Sequence, residues 1–125
     1  MVKNNEVIIY YPNGSMMSKK SFKQGIPHGE CITYYENGMI KCKRKYIDGL
    51  KEGERFKYFE TGALALRENY IRGLREGEKT TYYPNGKLET RGFYRGDKKH
   101  GEFILCNMKG EVEEKVHYAD GQKLD

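Results

Sequence analysis

Glycine recurs every 24 residues without slippage, at Gly14, Gly38, Gly62, Gly86 and Gly110, which obliges the chain to fold as a stack of like units. Three further series keep the same period: Gly29, Gly53, Gly77 and Gly101; Glu6, Glu30, Glu54, Glu78 and Glu102; and Lys19, Lys43, Arg67, Arg91 and Lys115. Aromatic residues follow it too, as Tyr10, Tyr34, Tyr58 and Tyr82, then Tyr11, Tyr35, Phe59 and Tyr83, then Phe22, Tyr46, Tyr70, Tyr94 and Tyr118.

Each unit carries a hairpin signal, because Asn-Gly sits between two runs rich in Tyr, Ile, Phe and Thr. Asn13-Gly14, Asn37-Gly38 and Asn85-Gly86 have both residues, while Thr61-Gly62 and Lys109-Gly110 keep the glycine. A left-handed Gly38 closes a three-residue turn, Glu36-Asn37-Gly38, and sets Tyr35 opposite Met39. Links such as Ile47-Asp48-Gly49-Leu50-Lys51-Glu52-Gly53 are short and hold two glycines, so they return the chain into the next hairpin. The expected fold is all-β: five tandem 24-residue hairpins, near 6–22, 30–46, 54–70, 78–94 and 102–118, forming an elongated, twisted antiparallel meander of about ten strands in a single domain over 1–125. No helix is expected.

Strict alternation from that turn divides the second hairpin into two faces. Ile32, Tyr34, Ile40, Cys42 and Tyr46 fall on one, and Cys31, Thr33, Tyr35, Met39, Lys41 and Lys43 on the other. The first is apolar and extends into the Ile8, Tyr10 and Met16 columns; the second joins the Tyr11 and Lys19 columns. Placing Cys31 and Cys42 on opposite faces argues against a disulfide between them. A single-layer sheet leaves apolar surface uncovered, so Tyr10, Tyr34, Tyr58, Tyr82, Ile40, Leu64 and Leu88 are the candidate residues for binding a partner protein, beside their role in stacking the repeats.

The 125 residues are 37% hydrophobic, too few for a thick closed core, and Tyr supplies 11 aromatic residues against no Trp. No run reaches the roughly 20 apolar residues of a membrane-spanning helix. The first residues leave no room for a signal-peptide core, so a cytoplasmic location is expected, with Cys31, Cys42 and Cys106 as reduced thiols. A net charge of +5 suits acidic partners, and Lys19, Lys43, Arg67, Arg91 and Lys115 are the candidate anion-binding residues. Val7-Ile8-Ile9-Tyr10-Tyr11 makes an apolar edge strand through which the chain is expected to self-associate or take a partner strand. The final unit has lost both tyrosines and ends on polar Gln122-Lys123-Leu124-Asp125, as a cap does.

Catalysis is not expected. Five equivalent glutamates fit ion pairing with nearby Lys or Arg better than one active site. His28 and His100 occupy equivalent link positions three repeats apart and cannot share a metal, and His117 reads as a solvated strand residue. The glycine spacing matches no phosphate-binding loop, and no cofactor is implied.

The segments Tyr10-Tyr11-Pro12-Asn13-Gly14, Tyr34-Tyr35-Glu36-Asn37-Gly38 and Tyr82-Tyr83-Pro84-Asn85-Gly86, followed by Tyr-x-x-Gly-x-x-x-Gly-Glu links, resemble the variant MORN repeat, and with it the bacterial YwqK-type antitoxin components. That resemblance implies a protein-interaction scaffold, with a cognate toxin as the partner. The broader MORN family implies membrane attachment and phospholipid contact. Here Gly-Glu stands where the ordinary unit has Gly-x-Gly, and Trp is absent, so lipid binding through the Lys/Arg column is the second expectation and nucleic-acid binding the third.

Overall fold

The structure, a computed structural model, describes residues 4–124. The chain runs β1 (Asn4–Tyr10), β2 (Met16–Lys23), β3 (Ile26–Tyr34), β4 (Ile40–Ile47), β5 (Leu50–Lys51), β6 (Gly53–Tyr58), β7 (Leu64–Ile71), β8 (Leu74–Arg75), β9 (Gly77–Tyr82), β10 (Leu88–Arg95), β11 (Lys98–Lys99), β12 (Gly101–Cys106), β13 (Val112–Ala119) and β14 (Gln122–Leu124). All lie in one antiparallel sheet whose order follows the sequence. β5, β8 and β11 are the first residues of the strand lines that β6, β9 and β12 continue, each interrupted at a single residue, Glu52, Glu76 or His100.

The meander is therefore the expected one, with an added line. Gln122–Leu124, expected as a polar tail, pairs with β13 through Ala119↔Gln122 and Tyr118↔Lys123.

Both rims of the sheet are built by backbone chirality. At the tips, Gly38 at φ 87° lets its N–H reach the Tyr35 carbonyl at 3.0 Å while the Tyr35 N–H donates to Met39 at 2.8 Å. At the opposite rim the links close as two-residue turns with both central residues at positive φ, as in Asp48-Gly49 and Arg72-Gly73.

Neighbouring repeats are stapled side chain to backbone. The Tyr11, Tyr35 and Tyr83 hydroxyls donate to the carbonyls of Tyr34, Tyr58 and Cys106, each at 2.6 Å. Asn37 Oδ1 accepts from the Met39 N–H at 2.9 Å, while its Nδ2 donates to the Glu60 carbonyl at 3.0 Å. On the link rim, His28 Nδ1, Glu52 and Glu76 accept the N–H groups of Asp48, Arg72 and Gly96 in the following link. His28 can replace Glu at this position because its Nδ1 supplies an acceptor, whereas His100 Nδ1 is buried without a partner.

One feature overturns the expected division into faces. Tyr34 pairs with Ile40, but Thr33 pairs with Cys42, so Lys41 is an extra residue in β4. Met17, Ala65, Glu89 and Glu113 are its equivalents in the other hairpins. In such a β-bulge the extra residue and its successor both lean toward the face of the residue they oppose. Thr81 accordingly touches both Glu89 and Thr90.

Every residue after the bulge thus changes sides relative to simple alternation. Lys43 joins Ile32 and Tyr34, whereas Cys42 and Tyr46 join Cys31 and Thr33. Cys31 and Cys42 share a face rather than being separated, and both thiols are buried and free. The buried side chains lie mainly on that face, as Ser18, Cys31, Cys42, Glu68 and Tyr70, with Thr80 and Cys106 on the other.

Candidate functional site

The first face runs the length of the sheet and holds both sets of expected binding residues together. Tyr10, Tyr34, Tyr58 and Tyr82 stand opposite Met16, Ile40, Leu64 and Leu88. One row along, Ile8, Ile32, Phe56, Thr80 and Ile104 stand opposite Lys19, Lys43, Arg67, Arg91 and Lys115. The separation of an aromatic-aliphatic face from a basic one does not hold, because the bulge carries the basic column across. Tyr10 is the most open of its column at 57% exposure, and its partners are half-buried.

The basic column on this face is matched by the glutamate column. Lys19 pairs with Glu6 at 3.5 Å, Lys43 with Glu30 at 3.8 Å, Arg67 with Glu54 at 3.0 Å and Arg91 with Glu78 at 3.0 Å. In the last hairpin Glu102 pairs with His117 at 3.3 Å. These pairs are solvent-exposed and individually weak, yet they cancel the charge of the column along most of its length.

Uncompensated positive charge gathers on the second face, where the sequence reading placed no site. Tyr46, Tyr70 and Tyr94 pair across the link rim with Lys51, Arg75 and Lys99. Each of these cations then lies over a ring of the next repeat: Lys51 Nζ is 5.0 Å from the Tyr70 centroid, Arg75 Cζ 5.5 Å from Tyr94, and Lys99 Nζ 5.0 Å from Tyr118. Arg44 stacks on Tyr46 at 5.8 Å and Lys79 on Tyr94 at 5.9 Å, so rings and cations alternate along the sheet.

At the middle of this ladder sits Glu68, 2% exposed. Its Oε1 accepts from Arg55 Nη1 at 2.6 Å and from the Tyr70 hydroxyl at 2.8 Å, and its Oε2 lies 3.4 Å from Arg75 Nε and 3.9 Å from Lys79 Nζ. Burial pushes the Glu68 carboxyl up, but the Arg55 and Tyr70 hydrogen bonds and the Lys79 charge outweigh it and hold the group below the ordinary carboxylate range. Burial, reinforced by Arg75, Arg55 and Lys99, draws the Lys79 ammonium below its ordinary value. One carboxylate thus serves three cations.

Lys51, Arg75 and Lys99 are spaced 24 residues apart, so their period was in the sequence. They lie inside the links, where glycine dominated the reading, and their alignment with the tyrosines depends on the bulge. No group of three His, Cys, Asp or Glu side chains among the described residues is placed to hold a metal ion.

A family model described as MORN repeat variant matches residues 3–24, 27–48, 51–72 and 75–95, more than half of the chain. The fifth hairpin lies beyond the matched residues yet has the same strands, turn and bulge. Comparison with curated proteins returns no match.

Proposed function

The chain belongs to the MORN repeat variant family, and from that premise we propose that it is a non-enzymatic scaffold that binds a partner protein on the face bearing Tyr34, Tyr58 and Tyr82. The supporting observation is the repeated pairing of these tyrosines with Ile40, Leu64 and Leu88 on an open single-layer sheet. The pattern offers a docking row at about 10 Å per repeat, two strand spacings. Tyr and aliphatic side chains bury large area at low entropic cost, which suits them to that use.

The finer reading is an antitoxin or immunity-type protein acting in the bacterial cytoplasm on a cognate toxin, and it rests on the sequence resemblance. Among the described residues β1 is paired along one side only, and Val7, Ile9 and Tyr10 are 44%, 46% and 57% exposed. Self-association or a partner strand along this edge belongs to the same proposal. Lipid and nucleic-acid binding through the Lys/Arg column draw less support, because the glutamate column pairs with four of its five cations, Lys19, Lys43, Arg67 and Arg91.

The test is affinity capture from the native cell with the wild-type chain and a Tyr34→Ser, Tyr58→Ser, Tyr82→Ser variant whose fold is verified by circular dichroism. Loss of the captured protein is expected. A folded variant that retains it would refute this use of the face.

A further inference from the structure

The cation-aromatic ladder of the second face has more positive charge than the protein itself answers. Arg55, Arg75 and Lys79 share one buried acid, Glu68, while Arg44, Lys51 and Lys99 lie over tyrosine rings of the same face, and Asp97 on the rim pairs with Arg75 at 3.4 Å. Arg75 Nε is turned inward to Glu68 Oε2 at 3.4 Å, so that acid is already committed within the cluster. Among the described residues Lys51 and Lys99 meet rings but no carboxylate within ion-pair distance, so a carboxylate supplied from outside finds both ammonium groups free.

We propose that this ladder is a docking groove for an extended acidic peptide segment of a partner protein, with carboxylates recurring at every third residue. Lys51, Arg75 and Lys99 lie on equivalent strands of successive repeats and so stand about 10 Å apart across the sheet, while a chain in the extended polyproline II conformation rises about 3.1 Å per residue and turns once every three residues. Every third side chain of such a segment therefore faces the sheet, at about 9 Å intervals that match the cations. Arg75 retains 39% side-chain exposure and Lys99 is exposed, so both heads are within reach of a ligand. At the N-terminal end the ladder opens into a groove of about 200 Å³ lined by Lys20, Phe22, Pro27, Cys31, Arg44 and Tyr46, continuing the same basic and aromatic character.

The geometry favours peptide over nucleic acid. Base stacking needs an open aromatic face, whereas Tyr70 is 5% exposed and lies under Lys51, and Tyr94 is covered by Arg75 and Lys79. This inference rests on the scaffold reading but uses the opposite face, so the two fail separately.

The probe is a dye-labelled synthetic peptide of about fifteen residues, glycine and serine with Asp at every third position, followed by fluorescence anisotropy. Its controls are the same peptide with Asn for Asp, a thymidine oligonucleotide and vesicles containing anionic lipid. The Asp peptide should bind, weaken as salt rises, and lose about tenfold or more in affinity to a Lys51→Gln, Lys99→Gln variant, two charge-assisted contacts being removed. A Lys43→Gln, Arg91→Gln variant on the other face and the Tyr34, Tyr58, Tyr82 to Ser variant should bind it as the wild type does. Equal binding of the Asn peptide, an undiminished affinity of the folded Lys51, Lys99 variant, or binding of the oligonucleotide or vesicles alone would each overturn the proposal.

Discussion

The Tyr35 hydroxyl donates to the Tyr58 backbone carbonyl at 2.6 Å, tying the tip of one hairpin to the strand that begins the next. Tyr11 and Tyr83 repeat the contact, but Phe59 stands where the third hydroxyl belongs. Tyr35→Phe should lower stability by about 1 kcal/mol, the net worth of a part-buried hydrogen bond, and Phe59→Tyr should raise it by a similar amount. Urea unfolding of the two variants decides the matter, and opposite signs are the expected result.

Gly92 is buried on the second face although its backbone angles would suit any residue. The Phe103 ring occupies the space a side chain would take, and it packs edge-on against Tyr94 at 5.7 Å and Tyr118 at 5.1 Å. Gly92→Ala must drive that ring out and should cost about 2 kcal/mol through overpacking. Gly92→Ala combined with Phe103→Ala should lose less stability than the sum of the single losses, measurable as a coupling energy in a double-mutant cycle.

The ion cluster around Glu68 predicts a particular acid response. Its carboxyl titrates below the ordinary value in the folded chain, so its contribution is complete above the unfolded pKa of about 4.3 and is lost as pH falls through the lower folded value. Glu68→Gln should flatten that acid limb of the stability profile. At neutral pH the variant should be destabilised by about 3 kcal/mol, since Arg55, Arg75 and Lys79 are left facing one another. Melting temperature against pH for the two proteins tests both statements.

Neutralisation of the first-face cations makes a further prediction. Replacing Glu30, Glu54 and Glu78 by Gln frees Lys43, Arg67 and Arg91, and the variant should sediment with anionic vesicles more strongly than the wild type at low salt. An unchanged sedimented fraction would show that these pairs do not govern the surface charge.

The hairpins and their turns were readable because left-handed glycine marks them: Gly14, Gly38, Gly62, Gly86 and Gly110 all adopt positive φ. The faces were not readable. Met17, Lys41, Ala65, Glu89 and Glu113 have no chemistry common to all five, so nothing in their side chains announces an extra residue in the strand. One unannounced residue was enough to move Lys43 beside Tyr34 and Tyr46 beside Cys31. The Lys51–Tyr70 stacking lay beyond reach for a related reason, since it joins a link residue to a tyrosine past the next bulge.

That extra residue recurs at the same place in all five hairpins, so the two surfaces stay continuous from one end of the sheet to the other. A whole unit can be duplicated or excised without exchanging them, whereas an insertion of one residue within a strand would invert one. Length is therefore the property most open to evolutionary change, and the number of units acts as a ruler for whatever lies along the sheet.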